Sequence, residues 1–398
     1  MAELTRKEEA LEAIDRNWYP KPRTESVPVA LALGRVPAGD VFSRHRLPVV
    51  RSAVMDGYAV RSADFAAGHP DTIGWALGRE YVRADMGDDF DDAFDAVVLV
   101  EDVSFDEGFF RLREGAPKVG PGSHVRPPGS QLDEGEPLVR KGRPLLPKDL
   151  GFLQMGGHDY LEVLAKPKAA FIPTGSELIS PGLKPARGQN VESNSIMVSE
   201  TLKLLGAEVW NFPVVMDDPA VLSDALDRAL AWADIVILNG GSSKGGEDHN
   251  AKILKARAKL LLQGVAAAPG KPLGIYVSGD RLIVNLPGPM IAAYYGLEWC
   301  LNHAVRKFLG LPPVRRPTLE VTLAEPLEGP TGLSFLFNLA VTKKDGKFLA
   351  TPLDPRSVRT HLGIAANALY MTKVGGESLS AGQTILCQVV RPEELLDP

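Results

Sequence analysis

Apolar residues along this chain fall into two rhythms. From Ala169, short apolar runs alternate with helical stretches: KAAFIPTG, NSIMVSETLKLL (Asn194–Leu205), AEVWNFPVV, a helix from Pro219 to Ala233, ADIVILNGG, and a helix from Asp248 to Lys259. LGIYV and RLIVNL follow as short strands, then a long helix from Pro289 to about Leu309. Alternation of this kind predicts a parallel or mostly parallel sheet with helices on both faces. The strands are apolar at nearly every position, as suits burial on both faces. Ligands in such sheets sit beyond the carboxyl ends of the strands. The informative loops therefore follow Ile172, Asn239 and Leu286.

Elsewhere the runs are shorter and turn-rich. Residues 1–17 read as an amphipathic helix with Leu4, Ala10, Leu11 and Ile14 near one face. A strand, SVPVALA, precedes the turn at Met55-Asp56-Gly57-Tyr58, where Asp-Gly marks the bend. Asp64 to Arg126 shows no helical period and reads as a small β domain, and its many aspartates read as a solvated acidic face. A short helix (Leu150–Met155) and a strand (Asp159–Leu164) lead to a boundary at Lys166-Pro167-Lys168. TLEVTLAEPL, KFLATPLD and QTILCQVVRP predict strands after Pro313. The fold class expected is α/β plus β: a central mostly parallel α/β domain, an inserted small β domain and a C-terminal β-barrel-like domain. The expected boundaries are 1–50 with 127–166 for an N-terminal linker and dimerisation part, 51–126 for the insertion, 167–312 for the α/β domain and 313–398 for the last.

At 398 residues there is room for several hydrophobic cores. The net charge of -6, without a dense Lys/Arg cluster, argues against nucleic-acid binding. Cys300 and Cys387 cannot make a disulfide framework, and Cys300 sits in an apolar helical stretch as a core residue. The N-terminus lacks an apolar signal core and no run is long enough to span a membrane, so the cytoplasm is the expected compartment.

Three strand-end loops share one chemistry. Pro173-Thr174-Gly175-Ser176-Glu177 places hydroxyls and a carboxylate after one strand. Gly240, Gly241, Ser242, Ser243, Lys244, Gly245, Gly246, Glu247 and Asp248 follow the next, and Asn285-Leu286-Pro287-Gly288-Pro289 leads a third apolar strand into a helix. Ala268-Pro269-Gly270-Lys271-Pro272 adds a Lys in a constrained turn. Glycines let backbone N–H groups approach an anion closely. Together these loops point to a phosphorylated ligand, with a metal ion held by the carboxylates.

The order SAVMDGYAV, PTGSEL, MDDP, GGSSKGGEDH, PGKP, LPGP closely resembles the MoeA family, the molybdopterin molybdenumtransferases. The resemblance spans nearly the whole chain. It implies four structural parts, an elongated homodimer, and insertion of molybdate or tungstate into adenylylated molybdopterin with release of AMP, dependent on magnesium. It places the site between the α/β domain and the N-terminal region, with the dimer partner contributing. Carried over, Asp56, Glu177, Asp217 (or its neighbour Asp218), Asp248 and Lys271 become the catalytic set, with Glu177, Asp217 and Asp248 holding the metal. Thr174, Gly175, Ser176, Gly240, Gly241, Ser242, Ser243, Lys244, Gly245, Pro287 and Gly288 would bind the molybdopterin substrate. Asp56 also suits a plain turn and the DDP pair a helix N-cap. Partners implied are a second copy of the chain, a molybdopterin adenylyltransferase and proteins that mature molybdoenzymes.

Several motifs depart from the family pattern. The TGA turn is Met86-Gly87-Asp88, and the GED motif is Gly129-Ser130-Gln131. The first Lys of KPGKP is Ala268, a Lys expected upstream is Gly264, and LPGNPVS has lost its Asn and Ser, while Lys244 adds a charge. Each lost charge-assisted hydrogen bond removes about 1.5–3 kcal/mol of oxyanion binding. This sets a second expectation beside the first: a catalytically weakened relative that binds molybdopterin or partner proteins without inserting metal. A molybdopterin adenylyltransferase is a third, disfavoured by the flanking β domains.

Overall fold

A computed structural model of the chain describes residues 4–240, 249–353 and 365–391. It divides into two compact units, one joining Met1–Arg23 to Ala165–Pro398, the other being Thr24–Leu164. Within Thr24–Leu164, Gly57–Val60 is the middle strand between Tyr81–Ala84 and Ala96–Leu99, all antiparallel. Val60, Phe65, Tyr81, Val98 and Phe110 pack beside that sheet. A second core gathers Val29, Leu145, Leu153 of the helix Pro147–Met155, and Leu161 and Val163 of the strand Tyr160–Leu164, which pairs with Thr24–Pro28.

In the other unit the chain begins with α1 (Lys7–Asn17), whose Ala10 and Ile14, with Trp18 just beyond, are fully buried. Trp18 Nε1 donates to the carbonyl of Asp280 at 2.9 Å. On the solvent side Asp15 accepts from His303 Nε2 at 2.9 Å and pairs with Lys307 Nζ at 3.2 Å.

The central sheet has six strands: β1 (Lys168–Pro173), β2 (Glu208–Asn211), β3 (Ile235–Asn239), β4 (Lys259–Gln263), β5 (Gly274–Ser278) and β6 (Arg281–Leu286). Their order is β2-β1-β3-β6-β5-β4. The first four in that order are parallel, while β5 and β4 run as antiparallel additions at one edge. The mostly parallel sheet expected from the pattern is present. β4 was hidden because KLLLQ follows a helix with no turn residue between.

Helices α2 (Asn194–Leu204), α3 (Pro219–Trp232) and α4 (His249–Arg257) connect the strands. Leu222, Leu226 and Ala229 of α3 and Leu254 of α4 pack on Ile172, Leu238, Tyr276 and Ile283. Each such leucine or isoleucine side chain contributes about 1.5–3 kcal/mol when buried. Asp218 caps α3, its Oδ1 accepting from the N–H of Ala220 and Val221 at 2.8 and 3.0 Å. The long helix expected after Pro289 is three consecutive pieces: α5 (Met290–Gly296), a π-helical turn at Leu297–Leu301, and α6 (Asn302–Phe308).

The chain then builds a closed barrel from β7 (Thr318–Leu323), β8 (Ser334–Lys344), β9 (Lys347–Pro352), β10 (Ala368–Met371) and β11 (Thr384–Val389). β8 pairs with both β9 and β10, which closes the circle around Val321, Leu339, Val341, Ile385 and Cys387. Cys300 is also buried, and desolvation pushes both thiols up, so each behaves as a core residue. No helix among the described residues is long and apolar enough to cross a membrane.

Two outcomes follow for α1. Trp18→Ala should lower stability by ~3–5 kcal/mol in chemical denaturation, and a loss below ~1 kcal/mol would show that α1 is peripheral. Burial opposes the charge of Asp15, but hydrogen bonds and charge from His303 and Lys307 outweigh it and hold its carboxyl below the usual 3.8. A depressed carboxyl stabilises the fold above its unfolded value and ceases to as pH falls through the folded value. Melting curves between about pH 5 and pH 2 should therefore drop less steeply for Asp15→Asn than for the unsubstituted chain.

Candidate active site at the carboxyl ends of the central strands

Register partners Pro173, Asn239 and Leu286 end β1, β3 and β6 at one level. Three loops therefore leave the sheet side by side. Asn239 ties two of them: its Nδ2 donates to the carbonyl of Pro287, and its Oδ1 accepts from Asn194 Nδ2, both at 2.8 Å. Asn194 Nδ2 also donates to the carbonyl of Gly288 at 2.8 Å. Asn194 opens α2, so this network lies on the sheet face opposite Leu238 and α3, because successive strand residues point to opposite faces.

Thr174 extends the ladder, its N–H donating to the carbonyl of Asn239 at 2.8 Å. Its hydroxyl donates to that carbonyl and accepts from Asn250 Nδ2, both at 3.2 Å, while Asn250 Nδ2 also reaches the carbonyl of Gly240 at 3.1 Å. With its hydroxyl engaged on both sides, Thr174 sets the loop. Gly240 has φ +118°, and a Cβ there would stand 2.4 Å from the Thr174 carbonyl oxygen. A Cβ on Gly288 would instead lie in ordinary contact, 3.8 Å from the Gly240 Cα.

The first loop is held by Asp217. Its Oδ2 accepts from the N–H of Ser176 at 3.0 Å, and its own N–H donates to Ser176 Oγ at 3.1 Å. Of the two neighbouring aspartates, Asp218 thus caps α3 and Asp217 faces the strand-end loop. The Glu177 carboxylate folds over Gly175, where a Cβ would lie 2.7 Å from one oxygen. Ser176, Glu177 and Asp217 are exposed. Lys271 is exposed too, and its turn precedes β5, whose Gly274 is opposite Asn285 on β6. That antiparallel pairing puts the Lys271 turn at the same end of the sheet.

The structure therefore brings Thr174, Gly175, Ser176, Glu177, Asp217, Gly240, Lys271, Pro287 and Gly288 to one edge. Gly241, Ser242, Ser243, Lys244, Gly245 and Asp248 lie outside the described residues. Asp56 belongs to Thr24–Leu164; it is exposed, and its Oδ1 accepts from the N–H of Met86 at 2.7 Å, locking the turn before Gly57. Gly57 is required there, since a Cβ would meet the Val98 carbonyl oxygen at 2.1 Å. Among the described residues no group of three His, Cys, Asp or Glu is placed to hold a metal ion. The sequence assigns no site role to the carboxamides Asn194, Asn250 and Asn285, although Asn285 opens the third strand-end segment and Asn194 a helix. The available signal was a polar residue inside an otherwise apolar strand, as in RLIVNL.

An α/β domain of this kind takes its ligand at the mouth beyond the carboxyl ends of its parallel strands, here lined by Gly240 and Gly288 and rimmed by carboxylates and a Lys. Residues 170–307 match the family described as a probable molybdopterin binding domain, and residues 5–157 the MoeA N-terminal region, domains I and II. Molybdopterin molybdenumtransferase 2 of Mycobacterium tuberculosis is 31% identical over 341 residues, covering 78% of this chain and 81% of the relative. The molybdopterin molybdenumtransferase of Staphylococcus epidermidis is 26% identical over 396 residues, covering 94% and 93%. The crystal structure of a molybdopterin biosynthesis MoeA protein from Pyrococcus horikosii aligns with a TM-score of 0.79 at 25% identity, covering 98% of this chain and 100% of that one. The chain belongs to the MoeA family of molybdopterin molybdenumtransferases, enzymes of molybdenum-cofactor biosynthesis.

The two glycines should respond differently. Gly240→Ala combines a positive φ with a backbone clash and should destabilise by at least ~2 kcal/mol. Gly288→Ala should stay within ~1 kcal/mol of the unsubstituted chain. Equal effects in thermal denaturation would contradict the packing at the strand ends.

Proposed function

We propose that this chain inserts molybdate into adenylylated molybdopterin and releases AMP. The supporting observation is the common level at which the Thr174–Glu177, Gly240 and Pro287–Gly288 segments leave β1, β3 and β6. Lys271, at the same end of the sheet, supplies positive charge for the anionic substrates. Ser176 and Asp217 fix the first loop through their reciprocal bonds, so the Glu177 carboxylate is presented from a rigid turn. Positioning of the two substrates is the main contribution expected from such a site.

Glu177 and Asp217 fit a magnesium ion, because magnesium characteristically takes one or two carboxylates plus substrate phosphates and waters. Among the described residues, Asp217 uses Oδ2 for the Ser176 N–H and makes no hydrogen bond through Oδ1. Asp248 is the third carboxylate assigned to it, and when bound the ion would neutralise phosphate charge. Asp56 is given a part in the reaction on the resemblance of its turn to the family's MDGYA motif. We assign the chain to the cytoplasm as a homodimer, and a monomeric mass in light scattering would contradict the dimer.

The second reading, pterin binding without metal insertion, is favoured by one observation. Gly264, where the family pattern has a Lys, sits at φ +90°, and a Cβ there would be 3.1 Å from Leu4 Cδ2. The backbone at that position is set for glycine, so the missing charge cannot be restored there without strain.

Purified protein with adenylylated molybdopterin, magnesium and molybdate should release AMP, and Glu177→Gln or Asp217→Asn should lower kcat/KM by ~10–100-fold. No AMP above background at saturating molybdate, with pterin still bound, would replace the enzyme reading with the binding one.

A further inference from the structure

Asn285 is fully buried, and among the described residues neither its Nδ2 nor its Oδ1 has a hydrogen-bond partner. A carboxamide can donate two hydrogen bonds and accept two, and leaving it unpaired inside a protein costs stability. Such groups are rare in native folds and need a reason. Its place supplies one. Ile283, two residues earlier on β6, packs with Leu238, Ile172 and Tyr276, so strand alternation puts Asn285 on that same face. There its register partners are Leu238 on β3 and Gly274 on β5, one apolar and the other without a side chain.

Gln263, opposite Gly274, is already committed. Its Oε1 accepts from the Tyr276 hydroxyl at 2.9 Å and its Nε2 donates to the Pro272 carbonyl at 3.0 Å. Two residues after Leu238 and Asn285, just past the ends of β3 and β6, come Gly240 and Pro287 at the mouth. Asn285 is therefore a polar group one side-chain layer beneath the mouth, with its hydrogen-bonding capacity unspent.

We propose that Asn285 recognises the heterocycle of the substrate, its amide pairing with a ring edge that presents a donor beside an acceptor. This rests on the reading of the site as one for adenylylated molybdopterin. Adenine and the pterin both carry such an edge, and asparagine pairs with adenine in this bidentate way in nucleic-acid recognition. Because the side chain is enclosed in the free protein, the ring reaches it through a local opening. The unpaired amide destabilises the free state and is satisfied in the bound one.

That coupling gives a signature a structural asparagine would not show. Asn285→Leu keeps the branched shape and removes the unpaired group. Its melting temperature without ligand should hold or rise by a few degrees. In titration calorimetry with AMP and with 6-hydroxymethylpterin as separate probes, one of the two should bind at least ~tenfold more weakly than to the unsubstituted chain. Loss confined to AMP assigns the adenine, and loss confined to the pterin assigns the pterin. Asn285→Ala, judged by the same affinity criterion, decides the matter if the Leu variant does not fold. Affinities within twofold for both probes, or failure of both variants to fold, overturn the assignment alone while AMP release by the unsubstituted chain still supports the site. An unsubstituted chain that binds neither probe overturns both.

Discussion

Everything at the site depends on three parallel strands ending at one level and being fixed there. Backbone pairing sets Pro173, Asn239 and Leu286 in register. The loops beyond would still be free to splay, since regular pairing stops. The Asn239 carboxamide prevents that by binding Pro287 on one side and Asn194 on the other, in a buried setting. Hydrogen bonds sheltered from water hold geometry firmly, because breaking one strands a desolvated polar group.

Close packing of the loops then dictates residue type. Gly240 lies against the Thr174 carbonyl where no other residue fits, and Thr174 is locked by Asn250 from the start of α4. Asp217 and Ser176 do the same work for the first loop. The result is a backbone-lined mouth whose exposed groups, Glu177 and Lys271, stand on turns with little freedom. Preorganisation of this kind is what positional catalysis requires.

Much of the fold was legible because buried parallel strands and amphipathic helices leave distinct apolar periods. The strand-end rule then located the site without any side-chain geometry. What stayed hidden had local causes. KLLLQ became a strand only by pairing antiparallel with β5 at the sheet edge, a tertiary decision. The π-helical turn at Leu297–Leu301 interrupts a helix whose sequence is apolar throughout. The roles of Asp217 and Asp218 could not be separated by sequence, since both precede Pro219 and only backbone direction decides which caps. The asparagines carry no role in the sequence because a lone amide in an apolar run makes no motif, although its rarity in a buried strand is itself a signal.

The pocket claim is tested most directly by hydrogen–deuterium exchange with and without adenylylated molybdopterin and magnesium. Slower exchange on binding should concentrate in the peptides containing Ser176–Glu177, Gly240 and Gly288. Unchanged exchange there, with protection confined to segments away from the carboxyl ends of β1, β3 and β6, would contradict it.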